Sequence, residues 1–273
     1  MVLNGALLED ACLPADDRGL LLGDGLFETI LAVDGEPFWW PEHWERLARS
    51  AAALGFTLPR TDAQAVADVH LALQGAGLAA GRAAVRLTLT RGRGPRGYWP
   101  EGIHSPVLLV SATRFAHSQK SLDACTVNDF PRNERSPLCR HKTTSALELV
   151  LAQRAVRQRG ADVALLLNTR GEWVEAAYAN LFVVAGGEVF TPPLDAGALP
   201  GVTRARLLTA QVAREALVTA ETWAQVQAAF LTNSLMGVRP LAAVDGCPLD
   251  VTHPLIRVAR QALSLPHTPK DTV

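Results

Sequence analysis

Lysine is the scarce residue of this 273-residue chain. Among 26 basic side chains only Lys120, Lys142 and Lys270 are lysines; the rest are arginine. Arginine stays protonated in a protein, whereas lysine can lose its proton and form a Schiff base. Basic runs are also missing, and the formal net charge is −1, which argues against nucleic acid as the main partner. The four cysteines, Cys12, Cys125, Cys139 and Cys247, form no Cys-x-x-Cys pair, so neither a zinc nor a redox motif is indicated. No apolar run has the length of a membrane span, and the N-terminus has no basic-then-apolar leader pattern. The expectation is a cytoplasmic protein with reduced thiols, no metal and no membrane partner. His-Glu-x-x-His, Gly-x-Ser-x-Gly and Walker patterns are absent as well, which argues against zinc-protease, serine-hydrolase and P-loop chemistry.

What is present is 48% hydrophobic and 19% charged, enough for a sizeable core in one large or two modest domains. Short strands and turns fill residues 1–40, with Asp34-Gly35 as a hairpin signal. Pro41 and Glu42 open a helix that Gly55 stops, its apolar positions being Trp44, Leu47, Ala48, Ala51 and Leu54. Thr61 or Asp62 caps a second helix to about Gly75. Strands are expected at 84–91 and 106–113. A polar stretch at 114–122 reads as a linker, dividing a smaller α/β domain (1–115) from a larger one (123–273) that carries Lys142. In the second half Leu147, Val150, Leu151 and Ala155 share a helix face, strands follow near 163–167, 173–175, 181–184 and 189–190, and Gly201-Val202-Thr203 opens a helix to about Ala216. A strand ends at Thr232-Asn233-Ser234, and a last helix covers 253–263. The fold class is α+β with mixed sheets and flanking helices.

Lys120 and Lys270 lie in polar connectors, and only Lys142, in Arg140-His141-Lys142-Thr143-Thr144-Ser145, sits in a patterned region. A lysine enzyme using pyridoxal phosphate needs an amine, an anion site and a group facing the pyridine nitrogen. The helix start at Val202 and Thr203 offers free N–H groups and a hydroxyl to a phosphate. Asn233 and Ser234 add donors, and Arg46 adds a charge-assisted contact. Glu175 suits the pyridine nitrogen. The loop from Arg91 through Arg96 to Tyr98 suits an anionic substrate, because arginine forks match carboxylates.

The ordered series is more specific than its members. Asp17-Arg18-Gly19, Gly23-Asp24-Gly25-Leu26-Phe27-Glu28-Thr29, His43-x-x-Arg46-Leu47, Lys142, Glu175 with Ala179-Asn180-Leu181-Phe182, Thr191-Pro192-Pro193, Gly201-Val202-Thr203-Arg204 and Asn233-Ser234 resemble the fold-type IV pyridoxal-phosphate enzymes, the class IV aminotransferase family, over residues 2 to 245. The resemblance implies a two-domain fold with a barrel-like mixed sheet, and Lys142 as cofactor lysine and proton shuttle. It implies Glu175 on the pyridine nitrogen, and Arg46, Asn180, Val202, Thr203, Asn233 and Ser234 around the cofactor. Phe27, Arg91, Arg96 and Tyr98 would line the substrate side of a homodimer. Thr90 to Tyr98 and Asn233 to Pro240 are similar to the aminodeoxychorismate lyase branch, which implies release of 4-aminobenzoate and pyruvate. A transaminase of the D-amino-acid or branched-chain type is the alternative, and a non-catalytic binding relative the remote one.

Overall fold

The computed structural model of the chain describes residues 1–95, 97–99 and 105–263, so Arg96 lies outside the described residues. The chain divides into two compact units. Of the described residues, the first holds Met1–His117 and Lys142–Ser145; the second holds Ser118–His141 and 146–263.

In the first unit the order is β1 (Val2–Leu3), β2 (Ala6–Leu7), α1 (Arg18–Leu22), β3 (Gly25–Val33), β4 (Glu36–Pro37), α2 (Trp40–Ala53), α3 (Asp62–Gly75), β5 (Arg82–Thr90) and β6 (Val107–Arg114). The strands form one antiparallel sheet in the order β2-β1-β6-β5-β3-β4. Side chains alternate across a strand. Leu26, Ile30 and Ala32 of β3 therefore turn to the core with Val85, Leu87 and Leu89 of β5, while Phe27 and Thr29 stay half-buried on the other face. Glu28 interrupts the apolar stripe and is buried nonetheless. Helix α3 starts where expected, because Thr61 and Gln64 exchange both bonds of a capping box. The buried stripe of α2 is Trp40, His43, Arg46, Leu47, Ser50 and Ala51, a more polar stripe than the apolar spacing suggested.

Lys142–Ser145 belongs with this unit for a backbone reason. Phe27 N–H donates to the Lys142 carbonyl at 2.8 Å, and Thr144 N–H to the Gly25 carbonyl at 2.9 Å. The hydroxyls of Thr144 and Ser145 both donate to the Gly23 carbonyl, at 2.9 and 3.1 Å. The lysine expected in the second domain is thus held as an added edge against β3.

The second unit runs β7 (Leu122–Arg132), α4 (Leu147–Gln158), β8 (Val163–Asn168), β9 (Trp173–Ala176), β10 (Ala179–Ala185), β11 (Glu188–Thr191), α5 (Val202–Thr209), β12 (Arg214–Glu215), α6 (Ala220–Trp223), β13 (Ala228–Asn233), β14 (Gly237–Val244), β15 (Cys247–Pro248) and α7 (Pro254–Leu263). The sheet order is β12-β11-β10-β13-β14-β7-β8-β9, and β9 also pairs with β10. That pairing closes six strands into a barrel, which leaves those strands no open edge. Strands β7 and β8 are parallel, which requires a crossover, and α4 supplies it. Phe182 and Phe230, buried on the face opposite Leu181, Val183, Ala229 and Leu231, stack with centroids 4.9 Å apart. Helix α4 buries Ala152 and Val156, whereas Leu147 and Val150 are 70% and 58% exposed; the apolar face read from the sequence points outward in the single chain. Helix α5 stops at Thr209 rather than near Ala216, since Gln211 takes a left-handed φ of 55° and the chain enters β12.

Candidate active site

In the first unit Lys142 is half-buried, and its Nζ lies 4.2 Å from the centroid of the Phe27 ring. The guanidinium of Arg86 is 3.9 Å from the same ring. Phe27 thus meets two cations, a favourable cation–π arrangement, which brings it together with Lys142.

Glu28, next along β3, faces α2. Arg46 Nε donates to its Oε1 at 2.7 Å and Nη2 to its Oε2 at 2.5 Å. His43 Nδ1 lies 2.7 Å from Oε2. Burial would raise this carboxyl; the Arg46 charge and the hydrogen bonds from His43 and Arg46 outweigh it and bring it from 4.5 to about 2. Burial also pushes the His43 imidazole below its usual range, against the pull of Glu28. Its Nδ1 faces the carboxylate, and Nε2 is buried without a hydrogen-bond partner. The sequence reading reserved the Arg46 fork for a phosphate; the structure gives it Glu28, and that partnership went unforeseen.

Arg91 is corrected outright. Its Nε donates to Asp24 at 2.8 Å, Nη1 to the Gly55 carbonyl at 2.6 Å and Nη2 to the Leu54 carbonyl at 2.9 Å, and the Phe56 ring lies 4.0 Å away. A guanidinium with all three nitrogens occupied this way is a structural anchor, not a substrate fork. Tyr98 is 91% exposed.

In the second unit Glu175, on β9, is 6% exposed. Its Oε1 is 2.9 Å from Arg132 Nε as an ion pair. That Nε makes no hydrogen bond, so charge couples the two. Leu199 N–H donates to Glu175 Oε2 at 2.9 Å, and Asn180 Nδ2 donates to the Leu199 carbonyl at 2.9 Å. Glu175 and Asn180 are also paired in register between β9 and β10. Together they hold the segment that leads into α5.

Gly201 caps α5 without a side chain, so the first N–H groups of the helix point outward with the positive end of its dipole. A Cβ at Gly201 would stand 1.9 Å from Asn180 Oδ1. Thr203 Oγ1 donates to Thr232 Oγ1 at 3.1 Å, and both residues are at most 1% exposed. Val202 and Ser234 are buried beside them in the chain. Asn233 serves a different end from that expected: its Oδ1 accepts from the N–H groups of Leu235 and Met236 at 3.0 and 2.9 Å, and its Nδ2 donates to the Tyr178 carbonyl at 3.1 Å. It builds the β13–β14 turn. Arg132 and the Leu199 amide were missed, and no sequence signal marks them.

The residues fit pyridoxal phosphate. In the second unit a helix start with buried hydroxyls suits a phosphate and a carboxylate beside an arginine suits a protonated pyridine nitrogen; in the first, the scarce Lys142 has the amine such a cofactor needs.

Residues 25–244 match the family described as amino-transferase class IV. The chain belongs to that family, whose members work with pyridoxal phosphate. It is 29% identical to an aminodeoxychorismate lyase of Vibrio harveyi over 95% of this chain and 96% of that one. It is 28% identical to a D-alanine aminotransferase of Staphylococcus epidermidis over 89% and 88%. The solved 4-amino-4-deoxychorismate lyase of Pseudomonas aeruginosa superposes with a TM-score of 0.84 at 29% identity, covering 96% of this chain and 97% of that one.

Proposed function

We propose that this enzyme is a 4-amino-4-deoxychorismate lyase, releasing 4-aminobenzoate and pyruvate. The observation that carries the reading is the lyase-like run from Thr90 to Tyr98, in a chain that aligns with the Vibrio harveyi lyase over nearly its whole length. The D-alanine aminotransferase likeness supports a second reading, transamination on the same residues.

Lys142 would hold the cofactor, Glu175 would face its pyridine nitrogen, and the start of α5 with Thr203 would receive its phosphate. Bound pyridoxal phosphate supplies an electron sink for a carbanion. Lys142 takes the proton from C4 of the substrate ring. The ether bond to the side chain breaks, the ring becomes aromatic, and the departing enolpyruvate gains a proton to become pyruvate. The ammonium of Lys142 is the nearest proton source. Arg132 stands beside Glu175 as an ion pair and would help hold the carboxylate against a pyridinium. Phe27 flanks the amine with an apolar face. Arg96 and Tyr98 remain the proposed substrate contacts.

A homodimer in the cytoplasm fits this reading. Leu20 and Leu21 of α1 are 64% and 63% exposed, and α4 offers Leu147 and Val150. Such leucines are natural material for a self-complementary interface. Among the described residues no helix is long and apolar enough to cross a membrane.

The test is product analysis. Purified enzyme given aminodeoxychorismate alone should form 4-aminobenzoate, and given D- or L-amino acids with 2-oxoglutarate should form little glutamate. The opposite pattern would make it a transaminase. Lys142→Ala should lose both activity and the visible absorbance of bound cofactor; retention of both would sink the assignment.

A further inference from the structure

Arg18 is the first residue of α1, and it is the helix's only buried residue, at 3% exposure. Leu20, Leu21 and Leu22 all face out, so apolar burial does not explain why this five-residue helix is there. Its surroundings do. Arg18 Nη1 donates to the carbonyls of Pro95 and Gly97 at 3.2 and 2.9 Å, and Nη2 to that of Tyr98 at 3.4 Å. The Arg18 backbone N–H donates to the Gly92 carbonyl at 2.9 Å. Four carbonyls of one loop thus converge on a single residue.

The clamp is itself anchored. Arg18 Nε donates to Asp24 Oδ2 at 2.9 Å, and Arg91 Nε donates to the same oxygen at 2.8 Å. Arg91 is fixed in turn by the carbonyls that follow α2. Asp17 caps α1 by accepting from Gly19 N–H at 2.7 Å, and also accepts from the Thr90 hydroxyl at 2.8 Å. Gly19 lies so close to β5 that a Cβ there would stand 2.5 Å from Thr90 Cγ2. Two charged chains of contacts, through Asp24 and through Asp17, lock α1 to the base of the loop. The backbone of the loop is gripped while the Tyr98 side chain is left outward.

We propose that Arg18 is the positioning residue of the Gly92–Tyr98 loop and, through it, a determinant of substrate affinity. The affinity half rests on the proposed role of that loop in the lyase reaction; the clamp half does not. Arg18 touches no reacting atom in this scheme. It replaces with fixed donors the water that an exposed glycine-rich loop would otherwise recruit, and so removes the loop's freedom before substrate arrives.

Two variants of the holoenzyme test this. Arg18→Met removes the charge and the fork, and Arg18→Lys keeps the charge without the planar geometry. The first readout needs no activity: the rate of tryptic cleavage after Arg93, which reports how often the loop opens. It should rise about tenfold or more in Arg18→Met and less in Arg18→Lys, with unchanged cofactor absorbance. The second is steady-state kinetics with aminodeoxychorismate, where KM should rise about tenfold while kcat stays within about threefold. Unchanged cleavage in both variants overturns the clamp. Faster cleavage with an unchanged KM overturns the affinity role. Loss of cofactor absorbance in step with activity in both variants reduces Arg18 to a fold anchor and overturns the proposal. If the wild type forms no 4-aminobenzoate, the lyase reading alone has failed, and KM is then measured with the amino acid the wild type accepts.

Discussion

Two buried glutamates, each beside an arginine, have opposite fates. Glu28 on β3 is 1% exposed and surrounded: Arg46 grips it through Nε and Nη2, and His43 adds an imidazole to the same carboxylate. Among the partners of Glu175 on β9 are the Arg132 Nε at 2.9 Å, as an ion pair, and the Leu199 backbone amide, and the Arg132 side chain is 19% exposed. The first arrangement ties a helix to a sheet. Its partners lie within one stripe of α2, and their geometry leaves the carboxylate a structural task. The second ties a charge to the segment that opens α5, through Leu199. A buried carboxylate is therefore informative about function only through what its partners do next.

That contrast can be broken experimentally. Glu175→Gln keeps the shape and the acceptor for Leu199 but removes the charge. It should lower kcat by about a hundredfold or more, the scale expected when a positioned ionised group is lost, with little change in urea midpoint. Glu28→Gln should do the reverse. It leaves Arg46 buried without its counter-charge and should cost about 3 kcal/mol of stability, while the folded fraction keeps kcat within about tenfold. If Glu28→Gln matched wild-type stability, or Glu175→Gln kept full kcat, the distinction would collapse.

Acid sharpens the same pair. The Glu28 carboxyl is depressed from 4.5 to about 2, so its contribution is fully present above the unfolded value and is lost as pH falls through the folded one. The deficit of Glu28→Gln relative to wild type should be constant above pH 4.5 and shrink between 4.5 and 2. Urea unfolding at stepped pH measures it, and a deficit independent of pH would show that Glu28 stabilises by shape alone.

Much of the frame was legible because its signals are local. Thr61 and Gln64 mark a helix start within four residues of each other, and the strands expected near 181–184 and 189–190 form the hairpin of β10 and β11. Lys142, Glu175, Val202 and Thr203 stood out by scarcity or by position at a strand or helix end. What stayed hidden depends on partners distant in sequence. Glu28, His43 and Arg46 belong to a strand and a helix, and nothing local says that a carboxylate in an apolar stripe will meet a fork from α2. Arg91 looked like a substrate arginine because its carbonyl partners, Leu54 and Gly55, lie 37 and 36 residues away. The end of α5 was missed because Gln211 turns left-handed without a glycine to announce it. Helix α1 was missed because five residues with three outward leucines carry no helical stripe.

The smallest expected effect tests how tightly Glu175 and α5 are coupled. Gly201 has an ordinary φ of −70°, so backbone conformation does not demand glycine there. The demand is steric, since a Cβ would stand 1.9 Å from Asn180 Oδ1. Gly201→Ala should therefore cost about 2 kcal/mol through overpacking and weaken cofactor binding about tenfold by tilting the helix start. Asn180→Ser removes the blocking oxygen but also frees the Leu199 carbonyl it holds, so it carries a cost of its own. The double variant should then be more stable than the sum of the two costs predicts, because the alanine fills the space the asparagine vacates. Strict additivity in thermal unfolding would mean that Asn180 yields freely to the new methyl group, and that Glu175, Leu199 and the start of α5 are less tightly joined than their distances imply.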